Sequence, residues 1–165
     1  MSNASHTMSS VPWPRGALCL IYGLSVLGKV KAMLGAGHPA FGPGKCYPSA
    51  LLPGVVVLET ATIALLLTGD VEAGLLGSAA MLGGVLYTQA LPVGPFAKMG
   101  AKALLPMLLA GGLHLRVALT ASRAPFKSAL LGVAVPRWAA AGAAVASALF
   151  GAAMHAANAG GGKDQ

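Results

Sequence analysis

Glu59 is the residue whose placement most needs a chemical explanation. It stands near the middle of an apolar run, nine residues before Thr68, with no other charge from Ser49 to Thr68. A carboxylate at such a depth in a bilayer is expensive, so ionisable groups in membrane helices face the interior of a bundle and pair with a partner or line a polar path. Lys29, five residues before Leu34 in the preceding apolar run, offers that partner. Arg15, Cys19, Tyr22, Ser25 and Lys29 recur at helical spacing, so this first run carries a polar stripe with Tyr22 as a structural polar group.

Further polar groups gather at the same end. Tyr87, Thr88 and Gln89 close a third apolar run, and Lys98 and Lys102 open a fourth. Antiparallel helices would bring these groups to one level. They would form a cavity with Glu59 at its floor, Lys29 and Tyr87 on its walls, Gln89 nearby, and Lys31, Lys98 and Lys102 at its rim. Such a cavity suits an anionic or amphipathic ligand, a lipid or quinone headgroup. The alternative is that Lys29 and Glu59 form a buried pair fixing helix register. Both readings stay open on the sequence.

The histidines suggest less. His114 shares a face of the fourth run with Lys102, Pro106 and Ala110 and sits close to Arg116, and His155 lies in an Ala-rich run near the C-terminus. Neither falls in a metal-binding spacing such as H-E-x-x-H, so an interhelical hydrogen bond is the expected role of His114 and no metal is assigned. His38 belongs to a loop. Walker, G-x-G-x-x-G and G-x-S-x-G patterns are absent, as are paired carboxylates, and no catalytic residue is assigned.

The elements that must hold these residues follow from hydropathy. Of 165 residues 56% are hydrophobic and 9% charged, with a mean hydropathy of +0.73. That leaves too little polar surface for a water-soluble globule. About 20 apolar residues cross a bilayer as a helix, and the sequence predicts spans over 15–34, 49–68, 73–91 and 98–120. Short turns at 69–72 and 92–95 make sequential antiparallel neighbours, hence an all-α, multi-span transmembrane bundle over 15–122. A Gly- and Pro-rich loop outside the hydrocarbon joins the first two spans over 35–48.

Beyond the bundle, 123–158 holds an apolar interfacial segment, Phe126 to Val135, and a fifth helix from Trp138 to Ala157. That helix is Ala-rich and interrupted by Gly142, Ser147, Gly151 and His155, which points to packing against protein more than lipid. Residues 1–14 and 159–165 read as disordered tails by composition. Small residues cluster on the third and last helices, at Gly74, Gly77, Ser78, Gly83 and Gly84 and at Gly142, Ala146, Ser147 and Gly151, which allow close helix approach.

The formal charge of +7 sits at the ends of the apolar runs, where anionic lipid headgroups, not nucleic acid, are the natural partners. With alternating spans, Arg15, Arg116, Arg123 and Arg137 fall on one side, and Lys29, Lys31, Lys45, Lys98, Lys102 and Lys163 on the other, with Lys127 the exception. Lysine and arginine count equally in setting orientation, so the cytosolic face is unassigned. The membrane is organellar or endoplasmic reticulum in a eukaryote, and the plasma membrane in a bacterium. Cys19 and Cys46 are too far apart in pattern to read as a redox pair.

The run from Leu58 to Asp70, a glutamate within an apolar helix ending in a glycine turn, followed by Ala79 to Gln89 with its polar end, resembles the DoxX-like superfamily. Gly28-Lys29 near the end of the first helix is similar too. Within that superfamily the spacing is similar to the novel acetylcholine receptor chaperone group. The resemblance covers about 15–123 and matches the family at Glu59 and Lys29, but not at His114 or the extra last helix. It implies a four-helix membrane bundle whose members act as assembly chaperones or as partners of membrane oxidoreductases. The expectation is therefore a non-catalytic accessory subunit or assembly factor packed against other membrane-protein subunits. The alternative is a redox or lipid- and quinone-binding protein using the Glu59 and Lys29 cavity.

Overall fold

The computed structural model describes residues 13–43, 45–90, 101–121 and 137–160. They form five α-helices: α1 (Trp13–Lys31), α2 (Leu52–Thr68), α3 (Val71–Ala90), α4 (Ala101–Ala121) and α5 (Arg137–Gly160). There is no strand among the described residues. The expected tails, the turn at 92–95 and the segment Phe126 to Val135 lie outside them, apart from the ends of the tails at 13–14 and 159–160, which are helical.

Four helical segments are long and apolar enough to cross a membrane: Trp13–Ala36, Ser49–Thr68, Val71–Thr88 and Trp138–Ala157. α4 has 21 residues, about 32 Å at 1.5 Å per residue, with a described apolar run over Leu108–Leu119. The chain is a multi-pass membrane bundle whose leucines point both ways. Leu18, Leu66, Leu75, Met81 and Leu113 fill the core, while Leu20, Leu24, Leu27, Leu105, Leu109, Leu149 and Phe150 are exposed. Exposure on this scale belongs to a surface whose solvent is lipid.

Local sequence explains the element ends. Pro53 occupies the first turn of α2, where its missing N–H is not needed. Gly69 ends the same helix in the left-handed conformation, at φ 101°, which only glycine adopts at no steric penalty. The turn is shorter than the sequence predicts, because α3 already begins at Val71, where the Asp70 side chain caps the backbone N–H of Ala73 at 3.4 Å. α1 ends in a π-helical turn over Ala32–Ala36 that includes Gly35 at φ 115°.

α1 to α4 pack in a ring in which each helix touches its neighbours in sequence and α4 closes against α1, while α5 lies on the outer face of α3. The close approach of α5 requires Gly83: a Cβ there would lie 2.0 Å from the carbonyl oxygen of Ala144. On α3's other side a Cβ on Gly77 would meet Thr62 Oγ1 of α2 at 2.2 Å. Small residues thus set both faces of the central helix, as they do where helices associate without a hydrophobic driving force. The last helix combines two surfaces: one packs on α3, and the other leaves Trp138, Val145, Leu149 and Phe150 exposed.

The loop between α1 and α2 folds inward. Tyr47 N donates to Ala40 O at 2.9 Å and Gly42 N to Tyr47 O at 2.8 Å, closing a tight turn. Phe41, Cys46 and Tyr47 are buried with Ala32 and Leu52, against Val55 of α2, Tyr87 of α3 and Met154 of α5. The loop is therefore a cap over one end of the bundle.

Candidate functional site

Lys29 and Glu59 meet inside the bundle. Lys29 Nζ stands 2.7 Å from Glu59 Oε1, and the two residues are only 9% and 3% exposed. Ser25, one turn before Lys29 on α1, donates its Oγ proton to the same Glu59 oxygen at 2.9 Å and accepts from Lys29 Nζ at 2.5 Å. The i to i+4 spacing of Ser25 and Lys29 makes this triangle possible, since both side chains project from the same face of α1. Glu59 Oε2 is buried and has no hydrogen-bond partner among the described residues.

A second cluster begins one turn away. Tyr22, three residues before Ser25 on α1, places its hydroxyl 2.6 Å from Ser78 Oγ of α3. Ser78 Oγ in turn lies 2.8 Å from His114 Nδ1 of α4. Ser78 is fully buried and joins three helices through one hydroxyl. In sequence it is one small residue among glycines and alanines, so its role as a polar hub depends on helix rotation that hydropathy does not encode. The histidine is half-buried, and nearby Arg116 lies with its guanidinium 4.7 Å from the centroid of the Trp13 ring, tying the end of α4 to the start of α1.

The remaining expected cavity residues are distributed differently. Tyr87 packs against the loop cluster and against α5: its ring sits edge-on to His155, with centroids 6.3 Å apart, and close to Gly151. Beside it, Tyr47 donates its hydroxyl to the carbonyl of Gly84 at 3.1 Å. Tyr87 thus belongs to the seam between α3, α5 and the loop. Lys31 is exposed. Lys98 lies outside the described residues, as do the side chains of Gln89 and Lys102.

In the loop, His38 Nδ1 accepts from Ala40 N at 3.1 Å, while Lys45 Nζ donates to the His38 carbonyl at 2.7 Å. Burial lowers the imidazole pKa to about 4, helped by the positive charges of Lys29 and Lys45. His38 is therefore neutral at ordinary pH and close enough to Lys29 to feel its charge. Burial also raises the Cys46 thiol and pushes Tyr47 up to about 12. Cys19 and Cys46 are both buried and are not joined in a disulfide.

The bundle also carries an apolar groove of about 400 Å³ between α3, α4 and α5. Leu82, Leu86, Leu108 and Val145 form its walls, with Gly111 and Gly112 on α4. Among the described residues, nothing outside the backbone of α4 itself lies within 4 Å of where a Cβ on either α4 glycine would stand, so no described part of the bundle uses their small size.

Comparisons with protein families, with characterised proteins and with solved structures return no match to this chain.

Proposed function

We propose that this protein is a non-catalytic membrane accessory subunit or assembly factor of DoxX-like type, which packs against a larger membrane complex. The observation that carries this reading is the groove between α3, α4 and α5. It is apolar, and it includes two adjacent glycines against which no described residue of the bundle packs. Small residues admit a second helix at close range, where van der Waals contact is the main attraction between membrane helices. The interior polar groups suit the same reading, because Lys29, Ser25 and Glu59 bind one another, as do Tyr22, Ser78 and His114.

The test is co-extraction from the native membrane in mild detergent. A complex of fixed stoichiometry is expected for the wild type. Gly112→Leu, which fills the groove, disperses it, and Leu24→Phe, at an exposed site on α1, leaves it intact. Equal recovery with both variants contradicts the reading.

A second reading, binding of a lipid or quinone headgroup beside Lys29 and Glu59, is favoured by the unpartnered Glu59 Oε2. A headgroup hydroxyl would satisfy that oxygen. It predicts a lipid or quinone retained through purification by the wild type and lost from Glu59→Gln. Retention by both would count against it.

A further inference from the structure

The two polar clusters share one face of α1. Lys29, Ser25 and Tyr22 follow one another at intervals of four and three residues, and Cys19 and Arg15 continue the line toward the other end of the helix. Arg15 to Lys29 spans 14 residues, about 21 Å of rise within a hydrocarbon core of about 30 Å. His38 and Lys45 in the loop stand at the Lys29 end, and Arg116 stands near His114 at the other. The polar line therefore covers most of the membrane thickness.

We propose that Lys29, Glu59, Tyr22, Ser78 and His114 form a proton path through the bundle. Each hydroxyl in the second cluster can donate one hydrogen bond while accepting another, so Tyr22 to Ser78 to His114 Nδ1 is a directed chain that works equally well reversed, with Nδ1–H donating to Ser78 and Ser78 to Tyr22. In the forward direction a proton reaches Glu59 Oε2 from the Lys29 end. The path requires one water molecule to bridge Glu59 Oε2 and Tyr22 Oη and pass it on. Tyr22 takes that proton on its oxygen and releases its own to Ser78, and Ser78 does the same to His114 Nδ1. The imidazole then releases the proton on Nε2 toward the Arg116 end. One proton enters and one leaves, no bond to carbon changes, and rotation of the two hydroxyls with tautomer exchange at His114 resets the chain.

Three observations bear the proposal. Glu59 is an acid at mid-membrane depth, where chains of Glu and His serve as proton relays. Its second oxygen is buried with no hydrogen bond among the described residues, on a carboxylate of α2 that packs against the α1 face carrying Ser25 and Tyr22. The packing around the second cluster is apolar, with Leu18, Leu66, Leu75, Met81 and Leu113 in the same core, which disfavours a hydrated ion but does not impede a hop along hydrogen bonds.

The test is proton flux in vesicles of phosphatidylcholine and phosphatidylglycerol that contain the purified full chain. The vesicles hold a pH-sensitive dye, and a potassium gradient with valinomycin sets the membrane potential. The wild type is expected to raise the rate of acidification at least about tenfold over protein-free vesicles, and Tyr22→Phe or Ser78→Ala to return it to within about twofold of that baseline. Ser78→Thr retains a hydroxyl and retains the flux. Thr60→Ala leaves the rate unchanged, since Thr60 is exposed and its hydroxyl donates to Val56 O of its own helix. A wild-type rate equal to that of empty vesicles overturns the proposal, as does flux that survives Tyr22→Phe. The tyrosine variant keeps its ring in the core and decides the matter if Ser78→Ala does not fold.

Discussion

Lys29 Nζ and Glu59 Oε1 lie 2.7 Å apart although their residues are 30 positions apart in the chain, and they lock α1 to α2 inside hydrocarbon. Removing one partner leaves the other charge buried. Lys29→Met or Glu59→Leu alone is expected to destabilise the bundle by about 3–5 kcal/mol, whereas the double substitution comes close to neutral. Reversible unfolding in mixed micelles checks this through a double-mutant cycle. Additive losses would mean that the pair does not act as a unit.

Gly83 fixes the distance between α3 and α5. Because a Cβ there would lie 2.0 Å from the backbone oxygen of Ala144, which cannot rotate away, Gly83→Ala is expected to cost about 1–3 kcal/mol. A direct readout is available next to it, where the Cβ position of Gly84 lies 3.3 Å from Ser147 Oγ. Cysteines at 84 and 147, with Cys19 and Cys46 replaced by alanine, are expected to cross-link in the parent. With Gly83→Leu added, the cross-link should be lost; its persistence would mean that α5 packs elsewhere.

The loop cap carries a pH dependence. His38 is held at a pKa of about 4 against an ordinary 6.5, so the unfolded chain binds the proton first. Its contribution to stability is complete above pH 6.5, declines as the pH falls from there toward about 4, and declines no further below that. The thermal midpoint of the wild type should therefore fall relative to that of His38→Asn across this interval. The asparagine can still accept from Ala40 N but does not titrate. Parallel curves for the two proteins would show that the loop imidazole is not buried.

Much of this arrangement is legible in the residues. Glu59 and Lys29 declare themselves because charge in an apolar run has few tolerable environments. The helices at 13–31, 52–68 and 71–90 follow from hydropathy and from Pro53 and Gly69 at their ends. The rest depends on helix rotation. Ser78 reads as a spacer among glycines until Tyr22 and His114 are seen to converge on it. Tyr87 reads as a wall of the Glu59 cavity, yet its ring lies against α5, where Gly151 leaves room. The loop's glycines and prolines announce irregular backbone but not that Phe41, Cys46 and Tyr47 turn inward. The alanines that make α5 weakly apolar are also what let its backbone come so close to α3.

The most direct measurement of the central claim, that this bundle is an accessory subunit, is native mass spectrometry of the chain extracted from its own membrane in mild detergent. The account predicts a stable assembly of this chain with other membrane subunits, dispersed by Gly112→Leu. A free monomer without partner subunits would contradict it.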